Sequence, residues 1–140
     1  MEKPRGHVLV VDDDVLLGKM LKRALEPEHE VRVLTSGREA LDLVASGERF
    51  DLILCDLMLP AVTGIDVYEG IGSIAPEQLD HVVFLTGGAC SARSKAFLEQ
   101  AIIAWIEKPL PSVAGLRDVV REHICRARTG RVPGCARPSS

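Results

Sequence analysis

The chain has 140 residues, a length suited to one domain around a single core, and no linker divides it. Its hydrophobic fraction of 46% and charged fraction of 26% are those of an ordinary globular chain, and at 4% aromatic residues its core must be built from Val, Leu, Ile and Ala. A net charge of −3 argues against a dedicated nucleic-acid binder, whose affinity for phosphate backbones needs concentrated Lys and Arg.

The single basic cluster (Arg121, Arg126, Arg128, Arg131, Arg137) has no aromatic residue in it and reads as a solvated helix end and tail. The start, MEKPRGHVLVV, meets Asp12 too soon to be a signal peptide, and no apolar run is long enough to span a bilayer. Cys55, Cys90, Cys125 and Cys135 have no metal-type spacing, and Cys55 lies within an apolar run as a free thiol would. A cytoplasmic protein that contacts neither membrane nor nucleic acid directly is expected.

Apolar runs of strand length alternate with segments of helical period. Val8-Leu9-Val10-Val11 is the first run, and Leu17, Met20, Leu21, Ala24 and Leu25 then mark an amphipathic helix that Pro27 closes. Val31–Leu34 follows as a half-exposed strand. Ser36-Gly37-Arg38-Glu39 has the pattern of a capping box, and it opens a helix that ends at Gly47. Leu52–Cys55 is the third strand, with a short helix from about Gly64, and Val82–Leu85 is the fourth. A helix over Ala92–Gln100 precedes a fifth run, Ile102–Ile106, and a last helix carries Leu116, Val119, Val120 and Ile124. The domain is expected over residues 6–126, with an extension at 1–5 and a disordered tail at 127–140.

Nearly continuous apolar strands alternating with helices indicate a parallel sheet covered on both faces. Ligands of such sheets bind beyond the carboxyl ends of the strands. Just past the first strand stand Asp12, Asp13 and Asp14; at the end of the third is Asp56, after the fourth Thr86, and after the fifth Lys108. Taken singly, each Asp would be a turn residue or a helix cap, and for Asp14 capping of the first helix is the preferred reading. Taken together on one rim, carboxylates need a cation or a shared proton. Oxygen ligands with room for water suit Mg²⁺, and a lysine and a hydroxyl beside it would complete a cage for a phosphoryl group.

These residues are also those of a known family. VLVVDDD, DLILCDLMLP followed by TG, VVFLTG and WIEKP together resemble the receiver domain of two-component response regulators, with the receiver of a hybrid histidine kinase as one source. The resemblance implies a flavodoxin-like (βα)5 fold with strand order 2-1-3-4-5. It implies that Asp56 takes a phosphoryl group from the phosphohistidine of a sensor histidine kinase or phosphotransfer protein. Asp12 and Asp13 would hold Mg²⁺ (or Mn²⁺) with Asp56 and the backbone carbonyl of Met58; Asp13 would be a direct ligand and Asp12 would act partly through water. Thr86 would turn toward the phosphoryl group, Lys108 would pair with one of its oxygens, and Pro109 would follow Lys108 through a cis bond. Trp105 occupies the place of a switching aromatic, and activation would be a population shift. The face of the fourth helix, fifth strand and fifth helix is where a homodimer or a downstream protein would dock. The chain would then be a signalling phosphoacceptor that catalyses only its own phosphorylation and dephosphorylation.

Trp replaces the usual smaller aromatic, Gln100–Ile103 replaces a Gly-Ala lead-in and implies a shorter loop, and Met58 and Gly88 offer no side-chain hydrogen bond to an attacking water. Slow hydrolysis of the phosphorylated form is expected. Two other readings compete. Asp12-Asp13-Asp14-Val15-Leu16 also fits the first motif of haloacid dehalogenase-type hydrolases, with Asp12 as nucleophile. That reading lacks an acidic pair after the lysine (the next acid, Asp118, is inside the last helix) and gives Asp56 no role. A receiver-like module that binds partners without chemistry would not need every chemical position filled, as it is here.

Overall fold

The computed structural model describes residues 6–87, 92–100, 104–108 and 112–129. The expected roles of Gly88 and Pro109, and the cysteines Cys90 and Cys135, fall outside these residues. Five strands, β1 (His7–Val11), β2 (Glu30–Leu34), β3 (Leu52–Asp56), β4 (Val82–Thr86) and β5 (Ala104–Glu107), form one parallel sheet in the order β2-β1-β3-β4-β5. The helices are α1 (Val15–Leu25), α2 (Gly37–Ala45), α3 (Gly64–Ile74), α4 (Ala92–Gln100) and α5 (Val113–Thr129). This is the flavodoxin-like arrangement expected from the sequence.

Both faces of the sheet are dry at its centre because β1, β3 and β4 are apolar at nearly every position, whereas the edge strands β2 and β5 alternate. Leu9, Val11, Ile53, Cys55 and Phe84 pack on one side with α2, α3 and part of α4. Val8, Val10, Leu52, Leu54, Val83 and Leu85 pack on the other with α1 and α5. Successive residues of a strand point to opposite faces, so one apolar run supplies both cores.

The helix starts follow side-chain chemistry. Asp14 caps α1, accepting from the Leu17 N–H at 3.2 Å, and Ser36 caps α2, accepting from Glu39 N–H at 3.1 Å. The fully reciprocal capping box stands instead at the start of α3, where Thr63 accepts from the Asp66 N–H and Asp66 accepts from the Thr63 N–H. Gly47 follows α2 at φ +107°, a conformation that only glycine adopts without strain.

Three elements differ from the sequence-based expectation. α3 is as long as α1, because the glycines in GIDVYEGIGSI permit helix where another helix or loop presses close. A 3₁₀ segment, Pro76–His81, links α3 to β4. α5 continues through Thr129, past the boundary at 126. Among the described residues no helix is long and apolar enough to cross a membrane.

Candidate functional site at the carboxyl rim of the sheet

β1, β3, β4 and β5 all end on one rim, and parallel register sets which residues meet there. Asp56 is opposite Leu85, one residue before Thr86, and Thr86 is opposite Glu107, one residue before Lys108. The backbone ties the strand ends together: Lys108 N–H donates to the Thr86 carbonyl at 2.7 Å, Leu57 N–H to Leu85 at 2.9 Å, and Asp12 N–H to Leu34 at 3.0 Å. By the two-residue alternation, Asp12, Asp56 and Lys108 lean toward the α1–α5 side. Thr86 and Trp105 lean toward the α4 side.

The carboxylates of Asp12, Asp13 and Asp56 each offer one oxygen within 4.8 Å of the other two. Asp12 is fully buried and Asp56 6% exposed, whereas Asp13 is open to solvent. Lys108 Nζ lies 3.2 Å from Asp12 Oδ2 and 3.8 Å from Asp56 Oδ2. Asp12 Oδ1 accepts the Asp14 N–H at 2.9 Å, and Asp56 Oδ1 accepts the Met58 N–H at 3.1 Å. Among the described residues, Lys108 therefore answers two of the three clustered carboxylates, those of Asp12 and Asp56. Burial pushes the Asp56 carboxyl above its ordinary value, and the charges of Asp12 and Asp13 push the same way. The Met58 N–H and Lys108 pull against them. The imbalance is the signature of a site built for one more cation, and three oxygen donors on one rim fit a hard divalent ion.

The loop after β3 is held tightly against this site. A Cβ on Gly64 would come within 2.7 Å of the Asp56 carbonyl and of Leu57 Cα, so glycine lets the start of α3 close onto the loop. Gly64 N–H also donates to the Leu57 carbonyl at 3.1 Å. Ala61 in the same loop sits at φ +64°, the left-handed region that costs a non-glycine residue about 1 kcal/mol. Cys55, next to Asp56, is inert: burial, followed by the charges of Asp56 and Asp12, pushes its thiol far up.

The structure brings Asp12, Asp13, Asp56 and Lys108 together as expected. Thr86 is buried at the rim, Asp14 stays with the helix it caps, and Trp105 is 49% exposed on the α4 side of the edge strand. Two residues escaped sequence reasoning. Gly64 is legible in the sequence only as the start of a helix, with no local sign that the loop after β3 presses against it. Ser94 carries a weak signal: in ARSKAFLEQ it lies three and four residues before Phe97 and Leu98, on the face that α4 buries.

Parallel (βα)5 topology together with this rim of acids, hydroxyl and lysine defines a receiver, and the match to known sequences agrees. Residues 8–121 match the response regulator receiver domain family, and the chain belongs to it. The DNA-binding response regulator MtrA of Mycobacterium tuberculosis is 46% identical over 121 residues, covering 79% of this chain and 53% of MtrA. This chain thus spans about half the length of that relative. A receiver domain from Methanospirillum hungatei JF-1 superposes with a TM-score of 0.78 at 26% identity, over 91% of this chain and 99% of that one. The receiver domain of the sensor histidine kinase PA1611 from Pseudomonas aeruginosa, solved with a magnesium ion coordinated in its active-site cleft, shares the fold. It has a TM-score of 0.73 at 21% identity, over 87% and 99% of the two chains.

Proposed function

We propose that Asp56 is the phosphoacceptor of a two-component phosphorelay. A carboxylate oxygen of Asp56 attacks the phosphorus of a phosphohistidine on a sensor histidine kinase or phosphotransfer protein. The new O–P bond forms as the N–P bond breaks, and the imidazole leaves with the electron pair. The observation that supports this best is the buried Asp56 held between two further carboxylates and Lys108.

Asp12, Asp13, Asp56 and the backbone carbonyl of Met58 would hold Mg²⁺, with Mn²⁺ as substitute; the magnesium in the PA1611 cleft supports that choice. The ion supplies neutralisation of charge on the phosphoryl oxygens. Lys108 does the same from the protein side, pairing with a phosphoryl oxygen at the cost of its contact with Asp12. Thr86, buried beside Asp56 on the neighbouring strand, turns its hydroxyl toward another oxygen. Its movement biases Trp105 and the face of α4, β5 and α5, through which a downstream protein or a second copy would dock. The unit that does this covers residues 6–126 and the end of α5.

A protein donor suits the rim better than a small molecule alone. Val15 and Leu16, directly after the acidic triplet, Met20 further along α1, and Met58, two residues past Asp56, are large, exposed and apolar. The test is to incubate the protein with acetyl phosphate and Mg²⁺ and to locate the label by mass spectrometry. The expected result is a phosphoryl group on Asp56 and none in Asp56→Asn; a label on Asp12 would support a hydrolase of the dehalogenase type instead.

A further inference from the structure

Met58 begins at the phosphoacceptor and ends at a different helix. Its N–H donates to Asp56 Oδ1 at 3.1 Å, which anchors the backbone two residues past the nucleophile. Its thioether lies 3.7 Å from the hydroxyl of Ser94 on α4, within range of an O–H···S hydrogen bond. Ser94 is 5% exposed, while Met58 is 48% exposed, so the fixed end of the contact is the helix and the covering end is the methionine. The Met58 residue therefore runs from a backbone contact with the Asp56 carboxylate to a side-chain contact with α4.

We propose that Ser94 is a positioning residue that straps the Met58 side chain over the phosphoacceptor and so lengthens the life of the phosphorylated state; this rests on Asp56 being the phosphoacceptor. Loss of the phosphoryl group needs a water oxygen to bond to phosphorus as the bond from phosphorus to the Asp56 oxygen breaks. Inorganic phosphate leaves, its protons exchange with solvent, and the carboxylate is restored. An unbranched methionine has three rotatable bonds and wanders when nothing holds it. Held by Ser94, it keeps apolar bulk where water would approach and offers that water no hydrogen bond. Released, it uncovers the site for part of the time.

The experiment measures decay of phosphorylated Asp56 after the phosphodonor is removed, in the full chain with Mg²⁺. Ser94→Ala is expected to shorten the lifetime about threefold, the effect of one weak hydrogen bond to sulfur. Met58→Leu, which keeps the bulk but loses the acceptor, should do the same, and the double variant should be no faster than either. Ser94→Thr, which restores the hydroxyl, should return the lifetime to that of the parent. A second readout does not depend on the chemistry: with ¹³C-methyl methionine, the Met58 resonance should move toward its rotationally averaged position in Ser94→Ala and stay in place in Ser94→Thr. An unchanged lifetime in Ser94→Ala, additive effects in the double variant, or failure of the threonine rescue would each overturn the strap while leaving the phosphoacceptor in place. Absence of any label on Asp56 in the parent protein would overturn the functional reading itself, and the strap with it.

Discussion

The two rims of the sheet treat charge in opposite ways. At the amino rim, polar groups pair. Arg121 reaches from α5 to grip Glu28 through both carboxylate oxygens at 3.0 and 2.9 Å, and it also meets Asp118 at 2.9 Å. His29, buried, accepts the Gly6 N–H at 3.1 Å, and Asp51 accepts the His7 N–H at 2.9 Å. At the carboxyl rim, three carboxylates cluster and, among the described residues, Lys108 meets two of them, while Ala61 sits in the left-handed region in the loop beside them. The amino rim is arranged to be stable as it stands. The carboxyl rim is left short of positive charge, an arrangement that suits the uptake of a cation.

The largest break of this contrast comes from removing the Lys108 charge. Lys108→Ala should destabilise the metal-free protein by roughly 3 kcal/mol, because it removes the cation nearest to the fully buried Asp12 side chain. Added Mg²⁺ should restore much of the loss. Urea titration with and without the ion checks both, and an equal loss in the two conditions would show that Lys108 is not answering the same charge.

At the opposite rim the outcome should differ in kind. Arg121→Ala should cost roughly 1 to 2 kcal/mol, since Glu28 is mostly buried beneath it. Mg²⁺ should recover none of it, and labelling of Asp56 should proceed at the parental rate. A Mg²⁺-dependent recovery in this variant would erase the distinction between the rims.

The smallest effect is on pH dependence, and its sign follows from the raised Asp56 carboxyl. Its folded value lies above the ordinary 3.8, so the folded protein holds that proton more tightly than the unfolded chain does. That contribution to stability is complete below 3.8 and is lost as pH rises through the folded value. Metal-free protein should therefore lose stability across this window. Asp56→Asn, which keeps the oxygen that accepts the Met58 N–H, should lose less. Parallel slopes for the two proteins would remove Asp56 as the source.

Much of this was legible in the residues because the folding signal is local. Val8–Val11, Leu52–Cys55 and Val82–Leu85 are apolar throughout, and an apolar run beside helical periods has few ways to be buried other than a two-sided parallel sheet. The acids and the lysine stood at strand ends in the sequence and converge at strand ends in space, because parallel strands bring all their carboxyl ends to one rim. The division of Asp12, Asp13 and Asp14 was only partly visible: the cap role of Asp14 follows from the helix after it, but nothing local tells a buried Asp12 from an exposed Asp13. The 3₁₀ link at Pro76–His81 was missed because its residues show no period long enough to detect.

What the sequence by itself determined is the order of strands and helices along the chain, the alternation of successive strand residues between two buried faces, and which chemical groups are available at the rim. Those depend on periodicity and on residue type, which are properties of short stretches. Only the tertiary structure decided that Lys108 leans on Asp12 more closely than on Asp56, that Met58 reaches Ser94, and that Arg121 closes on Glu28. Those pairs are separated by 96, 52, 36 and 93 positions, and their meeting depends on register, helix rotation and side-chain direction, which packing of the whole domain sets and no short stretch records.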